Sequence, residues 1–117
     1  MELTKESLGQ RIRRLRDEKD LGLRETAKKV GISPAYLSRI ETNEEKTPPG
    51  EKVLKGLAEV LDDKIDLLMS LAGRVPADVK EFIAKDPGLP QFLRSVRERG
   101  YSAEDLQRLL QKDKRKK

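Results

Sequence analysis

Apolar residues recur at intervals of three and four along almost the whole 117-residue chain, and no segment alternates as a half-buried strand does. This spacing places the apolar side chains on one face of successive helices, so it predicts an all-α fold. Glycine, proline and charged stretches divide the first part of the chain into five predicted helices. They cover about Lys5–Lys19 (with Thr4 as N-cap), Leu23–Val30, Pro34–Glu41, Glu51–Leu61 and Ile65–Leu71.

The composition excludes several classes of function. The chain has no cysteine and no histidine, which removes disulfides, thiol nucleophiles, thiolate metal sites and the usual general base. No apolar run approaches the roughly 20 residues that cross a bilayer, and the first residues lack the apolar stretch of a signal peptide. We therefore expect a soluble, cytoplasmic protein that is not an enzyme and has no metal, no cofactor and no membrane association.

The segment Leu23–Thr42 carries the most specific signal. Two short helices joined by a turn of three to four residues must cross at a steep angle. Ala27 is small enough for the backbones to approach at the crossing, and Gly31 tolerates the positive φ that the turn needs. Leu37 and Ile40 give the second helix a narrow apolar stripe to bury. This spacing is that of a DNA-binding helix-turn-helix.

The outer face of the second helix is polar and short-chained, which suits deep entry into the major groove of DNA. Arg39 is the most specific candidate on it, because arginine can donate two parallel hydrogen bonds to guanine O6 and N7. The residues predicted to contact base edges are Ser33, Pro34, Ala35, Ser38, Arg39 and Thr42. Those predicted to contact phosphate are Arg11, Arg14, Arg24, Lys28, Tyr36, Asn43 and Lys46.

Several of these residues have a purely structural alternative. Arg39 could instead form a salt bridge with Glu41 or Glu44. Arg11 and Arg14 could lie on a solvated helix face, and the tyrosine in the first turn of the outer helix could be a half-buried packing residue. The sequence leaves these alternatives open.

Residues 8–71 resemble the Cro/lambda-repressor-type helix-turn-helix domain, known as the XRE family. The resemblance is carried by Leu8–Arg16, by Ala27–Glu41 and especially its part Ser33–Glu41, and by Leu57–Leu61. It implies a five-helix DNA-binding domain, usually dimeric on an inverted-repeat operator, that acts as a transcriptional regulator; we expect a repressor.

Three positions depart from the family pattern. Thr26 stands where the family usually has a buried leucine, which would loosen its helix. Leu23 occupies a position often held by a phosphate-binding glutamine, so that contact would shift to Arg24. Asp20 replaces the usual glycine after the first helix and must accept a left-handed conformation.

The sequence pattern changes after residue 73. We expect a DNA-binding domain over residues 1–73 and a helical extension over residues 74–117, which ends in a basic tail from Lys112. The apolar residues of the extension are too many to leave exposed on a monomer. Those expected to mediate homodimerisation are Phe82, Phe92, Leu93, Val96, Leu106 and Leu109.

Two alternatives to this extension remain open. Its helices could fold back on the DNA-binding domain instead of pairing with a second chain. The competing function is an antitoxin-like or other protein-interaction module, in which the helix-turn-helix serves mainly as a scaffold and the extension binds a regulatory protein.

Overall fold

The computed structural model describes residues 6–115 and is helical throughout its regular structure. It divides into two compact units, the first within Met1–Pro76 and the second within Ala77–Lys117. The first holds α1 (Leu8–Glu18), α2 (Leu23–Val30), α3 (Pro34–Glu41), α4 (Glu51–Leu61) and α5 (Ile65–Leu71), and the second holds α6 (Ala77–Lys85), α7 (Gly88–Glu98) and α8 (Ala103–Lys112). None of the helices in residues 6–115 combines the length and apolar character needed to cross a membrane.

The predicted helices are confirmed, with one correction at the start of α1. This helix begins at Leu8 and its N-cap is Ser7, whereas Thr4 and Lys5 lie outside the described residues. The Ser7 hydroxyl accepts a hydrogen bond from the Gln10 N–H at 3.1 Å, and the Gln10 side chain accepts one from the Ser7 N–H at 2.9 Å. This reciprocal capping box satisfies two backbone donors, which is why the helix begins there.

One apolar core joins the five helices of the first unit. Its fully buried large side chains come from four of them: Ile12, Leu37, Leu54, Leu57, Leu61, Leu68 and Met69. Ala27 is also fully buried, and Gly31 has a φ of 89°, so the crossing and the turn predicted between α2 and α3 are both confirmed. The first unit therefore holds α2 and α3 as a helix-turn-helix.

α1 and α3 approach so closely that only glycine fits between them. A Cβ on Gly9 would lie 2.4 Å from the carbonyl oxygen of Ile40 and 2.5 Å from that of Glu41. Arg16 strengthens this contact: its Nε and Nη2 donate to the two Glu41 carboxylate oxygens at 2.8 and 3.0 Å, and its Nη1 donates to the Leu21 carbonyl at 2.9 Å. The end of α3 is thereby fixed to α1.

The three departures from the family pattern are accommodated locally. Thr26 is fully buried, and its hydroxyl donates to the Gly22 carbonyl at 2.8 Å, so the polar group that replaces a leucine has a partner. Asp20 has a φ of 58°, the left-handed conformation expected there. Leu23 is half-buried against the core.

The helices of the second unit bury none of their described side chains. Ser102 and Asp105 form a capping box at the start of α8, and the hydrogen bond from the Ser102 N–H lowers the pKa of Asp105. Lys116 and Lys117 of the basic tail lie outside the described residues. An apolar groove of about 360 Å³ is lined by Phe92, Ser95, Val96, Arg99, Tyr101, Leu106 and Leu109.

We expect Gly9→Ala to lower the free energy of unfolding by about 2–3 kcal/mol, because the added methyl group meets backbone atoms that cannot rotate away. Urea denaturation followed by circular dichroism measures this change. The matched control is Gly22→Ala, since a Cβ on Gly22 meets nothing within 4 Å, and it should cost less than about 1 kcal/mol. Equal losses in the two variants would contradict the close approach of α1 and α3.

Candidate nucleic-acid interface

The outer face of α3 is open to solvent. Ser33 is its N-cap, with the hydroxyl oxygen accepting from the Tyr36 N–H at 3.0 Å, and Pro34 fills the first position, where a helix needs no donor. Leu37 and Ile40 are buried on the opposite side. All six residues predicted to contact base edges are exposed or half-buried, so the core encloses none of them.

The two hydroxyls at the ends of this face have different hydrogen-bonding capacity. Ser33 uses its oxygen as an acceptor for the helix cap, which leaves its proton free to donate. Thr42 donates its proton to the Ser38 carbonyl at 3.0 Å, so only its oxygen lone pairs remain available. A groove-bound α3 would therefore offer a donor at its start and an acceptor at its end.

Arg39 forms an ion pair, but with a partner different from those the sequence suggested. Its Nε donates to Glu45 Oε1 at 2.7 Å, and its guanidinium carbon lies 5.8 Å from the centre of the Tyr36 ring. The suggested pairing with Glu41 is wrong because Arg16 binds both oxygens of that carboxylate. Tyr36 is half-buried and packs against the core, so the packing alternative describes at least its ring.

Three of the basic residues predicted to contact phosphate are available to do so. Arg24, Lys28 and Lys46 are exposed and have no ion-pair partner within residues 6–115. Arg24 and Lys28 lie on α2, whose N-cap Gly22 supplies no side-chain acceptor to the first turn. The backbone N–H groups and the dipole at this end of α2 also favour an anion.

Arg11 and Arg14 instead bind carboxylates of the same chain. Arg11 donates to both Asp63 oxygens at 2.8 and 3.0 Å, which lowers the pKa of Asp63. Arg14 donates to Glu6 at 2.6 Å and to Glu18 at 2.8 Å, and its hydrogen bond lowers the pKa of Glu6. Arg11 is half-buried and Arg14 is exposed, and a contact of either with phosphate would have to compete with these pairs.

Asn43 lies just after α3 in a left-handed conformation, with a φ of 62°. Its side-chain Nδ2 donates to the Ser7 hydroxyl at 3.2 Å. One N–H of this amide thus holds the loop after α3 against the start of α1, and the other is left to donate to a phosphate.

Sequence reasoning missed the residues that position α3. Gly9 gave a usable signal, because a glycine inside a helix is unfavourable unless a backbone approaches closely. Arg16 and Glu41 are 25 positions apart, and Arg11 and Asp63 are 52 apart, so local spacing carries no signal for either pair.

Known proteins share the helix-turn-helix of this chain. A family model described as "Helix-turn-helix" matches residues 12–68. The HTH-type transcriptional regulator SinR of Bacillus licheniformis is 40% identical over 63 residues, which cover 54% of this chain and 56% of SinR. The HTH-type transcriptional repressor RghR of Bacillus subtilis (strain 168) is 39% identical over 70 residues, which cover 60% of this chain and 51% of RghR. The chain thus spans about half the length of the curated relatives it matches.

A solved complex of the SinR and SinI proteins is similar over a longer stretch. It covers 89% of this chain and 91% of the compared chain, with a TM-score of 0.50 and 29% identity. The matched family model includes all of α2 and α3, the two helices whose crossing and turn the sequence predicted. Residues 12–68 thus form a helix-turn-helix domain of the XRE type, the Cro/lambda-repressor type.

Proposed function

We propose that the chain is a sequence-specific, double-stranded DNA-binding transcriptional regulator, and specifically a repressor. The observation that carries this proposal is the exposed polar face of α3, fixed from behind by α1 and α2. An α-helix with such a face fits the major groove of B-DNA. The names of its relatives support a DNA-binding regulator and not an enzyme, and such a protein would act in the cytoplasm beside the chromosome.

In this proposal two sets of residues bind DNA, one at the bases and one at the phosphates. The six outer residues of α3 read base edges, and Arg39 is the one with the geometry to select guanine. Arg24, Lys28 and Lys46, with the N-terminus of α2, hold phosphates and fix the register of α3 in the groove. Arg11, Arg14, Tyr36 and Asn43 are secondary candidates, because their side chains are partly or wholly engaged within the chain.

We further propose that the second unit pairs with a second copy of the chain. Phe82 is 68% exposed and Phe92 53% exposed, and the helices of this unit bury none of their described side chains. Exposed apolar surface of this kind favours association. Leu93, Val96, Leu106 and Leu109 complete the proposed interface. A two-fold dimer would bring two α3 helices to half-sites about 34 Å apart on an inverted repeat.

A second candidate function rests on the same apolar surface. The similarity to a chain of the SinR–SinI complex, over 89% of this chain, favours a regulatory protein as another occupant of the second unit. In that case the extension would control the DNA-binding domain through a different polypeptide, and the helix-turn-helix would serve as the regulated part or as a scaffold.

Replacing Arg39 by alanine tests the groove contact. Arg39→Ala should weaken binding to a duplex selected from a random pool by about 1–3 kcal/mol and relax the preference at one base pair. Lys28→Ala is the matched control, since it should weaken binding to selected and random duplexes equally and reduce the salt dependence. Fluorescence anisotropy on both duplexes measures the two effects. Unchanged affinity and selectivity in Arg39→Ala would contradict the proposed role of α3.

Charge placed in the apolar surface tests the dimer. Phe92→Glu should convert a dimer into a monomer, because a buried unpaired carboxylate is strongly unfavourable at an interface. Gln91→Glu, which puts the same side chain at the neighbouring position of α7, should leave the dimer intact. Sedimentation velocity measures the mass. A Phe92→Glu variant that remains dimeric, or a wild-type chain that is monomeric, would contradict this interface.

A further inference from the structure

We propose that Glu45 is a positioning residue for Arg39, and that it raises the sequence selectivity of α3 while lowering its general affinity for DNA. This inference rests on the proposed function, in which Arg39 contacts a base edge. Arg39 Nε and Glu45 Oε1 are 2.7 Å apart, and the two side chains are 48% and 27% exposed. An arginine that is open to solvent is thus held along one edge by a carboxylate of its own chain.

The loop that carries Glu45 is fixed by hydrogen bonds to two helices. The positive φ of Asn43 turns the chain back after α3, and the Glu44 N–H donates to the Arg39 carbonyl at 2.8 Å. The Asn43 side chain donates to the Ser7 hydroxyl at the start of α1. Because the loop is fixed to the same backbone that carries Arg39, the carboxylate of Glu45 has a defined place from which to orient the guanidinium.

This contact leaves the two terminal nitrogens of the guanidinium, Nη1 and Nη2, available to DNA. Arginine recognises guanine through two parallel N–H donors, and the Nη1 and Nη2 groups can supply them while Nε stays bound to Glu45. The Tyr36 ring, 5.8 Å from the guanidinium carbon, gives the same group a second neighbour. An arginine restrained on two sides loses less rotamer freedom on binding than an unrestrained one.

Two effects of Glu45 can be distinguished by experiment. Its charge acts on the affinity for every duplex, and its hydrogen bond to Arg39 acts on the preference between duplexes. A carboxylate near DNA repels phosphates, so removing it should raise the affinity for every duplex. The loss of positioning should instead lower the preference for the duplex that carries the guanine. Glu44 is the matched control: it is the neighbouring acidic residue, it is exposed, and it has no ion-pair partner within residues 6–115.

The test measures the affinity of the full chain for two duplexes that differ only at the base pair whose preference depends on Arg39. Glu44→Ala should raise both affinities by the same factor. Glu45→Ala should raise the affinity for the mismatched duplex and reduce the preference between the two by about three- to tenfold, the range expected for one charge-assisted hydrogen bond at an exposed site. Glu45→Gln, which keeps a neutral acceptor for Nε, should retain part of the preference.

A double-mutant cycle completes the experiment. In an Arg39→Ala background, Glu45→Ala and Glu44→Ala should act alike, because the residue being positioned is gone. The proposal is overturned if Glu45→Ala keeps the wild-type preference. It is also overturned if that variant increases the preference, since Glu45 would then compete with DNA for Arg39. A wild-type chain with no preference among duplexes would instead overturn the proposed function itself.

Discussion

The position of α3 depends on a contact between backbones. Gly9 lets α1 reach the carbonyl groups of Ile40 and Glu41, and no other residue at that position would permit the approach. Arg16 then binds the Glu41 carboxylate from α1 through two hydrogen bonds, which raise the pKa of the guanidinium. α3 can present a polar face to a ligand because its opposite side is held by apolar packing and its end by these interactions.

Ion pairs and hydrogen bonds within the first unit decide which basic side chains remain available to a ligand. The chain has a net charge of +5, but this total does not show which cations are available. Arginines of α1 neutralise carboxylates that tie the first unit together, as the Arg11–Asp63 pair does. Arg74 donates to the carbonyls of Pro48 and Pro49 and holds the loop before α4. Among the basic residues predicted to contact phosphate, those without an ion-pair partner in the described part of the chain are Arg24 and Lys28 of α2 and Lys46 of the loop after α3.

Local signals made much of the fold predictable. Apolar spacing gave the helices, and Gly31 and Asp20 marked left-handed turns that the structure contains. The error at the start of α1 arose because Thr4 and Ser7 are both good N-caps, and the choice between them depended on the reciprocal bond from Gln10. Such a bond requires a side chain that can accept a hydrogen bond three residues after the cap, and Ser7 has Gln10 at that position.

The candidate site was predictable in outline but not in its electrostatics. The exposed face of α3 follows from helical periodicity around Leu37 and Ile40. The partners of Arg11 and Arg16 depend on how distant segments pack, which spacing along the chain does not show. The partner of Arg39 is close in sequence, but the turn at Asn43 decides which acidic residue of the loop reaches it. Sequence reasoning therefore grouped Arg11, Arg14 and Arg24 as phosphate contacts, although the first two bind carboxylates and Arg24 has no ion-pair partner among the described residues.

In the proposed function, DNA contacts the chain through the outer face of α3. This contact can be tested by NMR spectroscopy of the isotope-labelled chain, titrated with a duplex selected from a random pool. The largest shifts in backbone amide signals are expected in α3, at the start of α2 and in the loop over residues 42–50. If the largest shifts occurred in α4 and α5 while those of α3 were unaffected, α3 would not be the helix that contacts DNA.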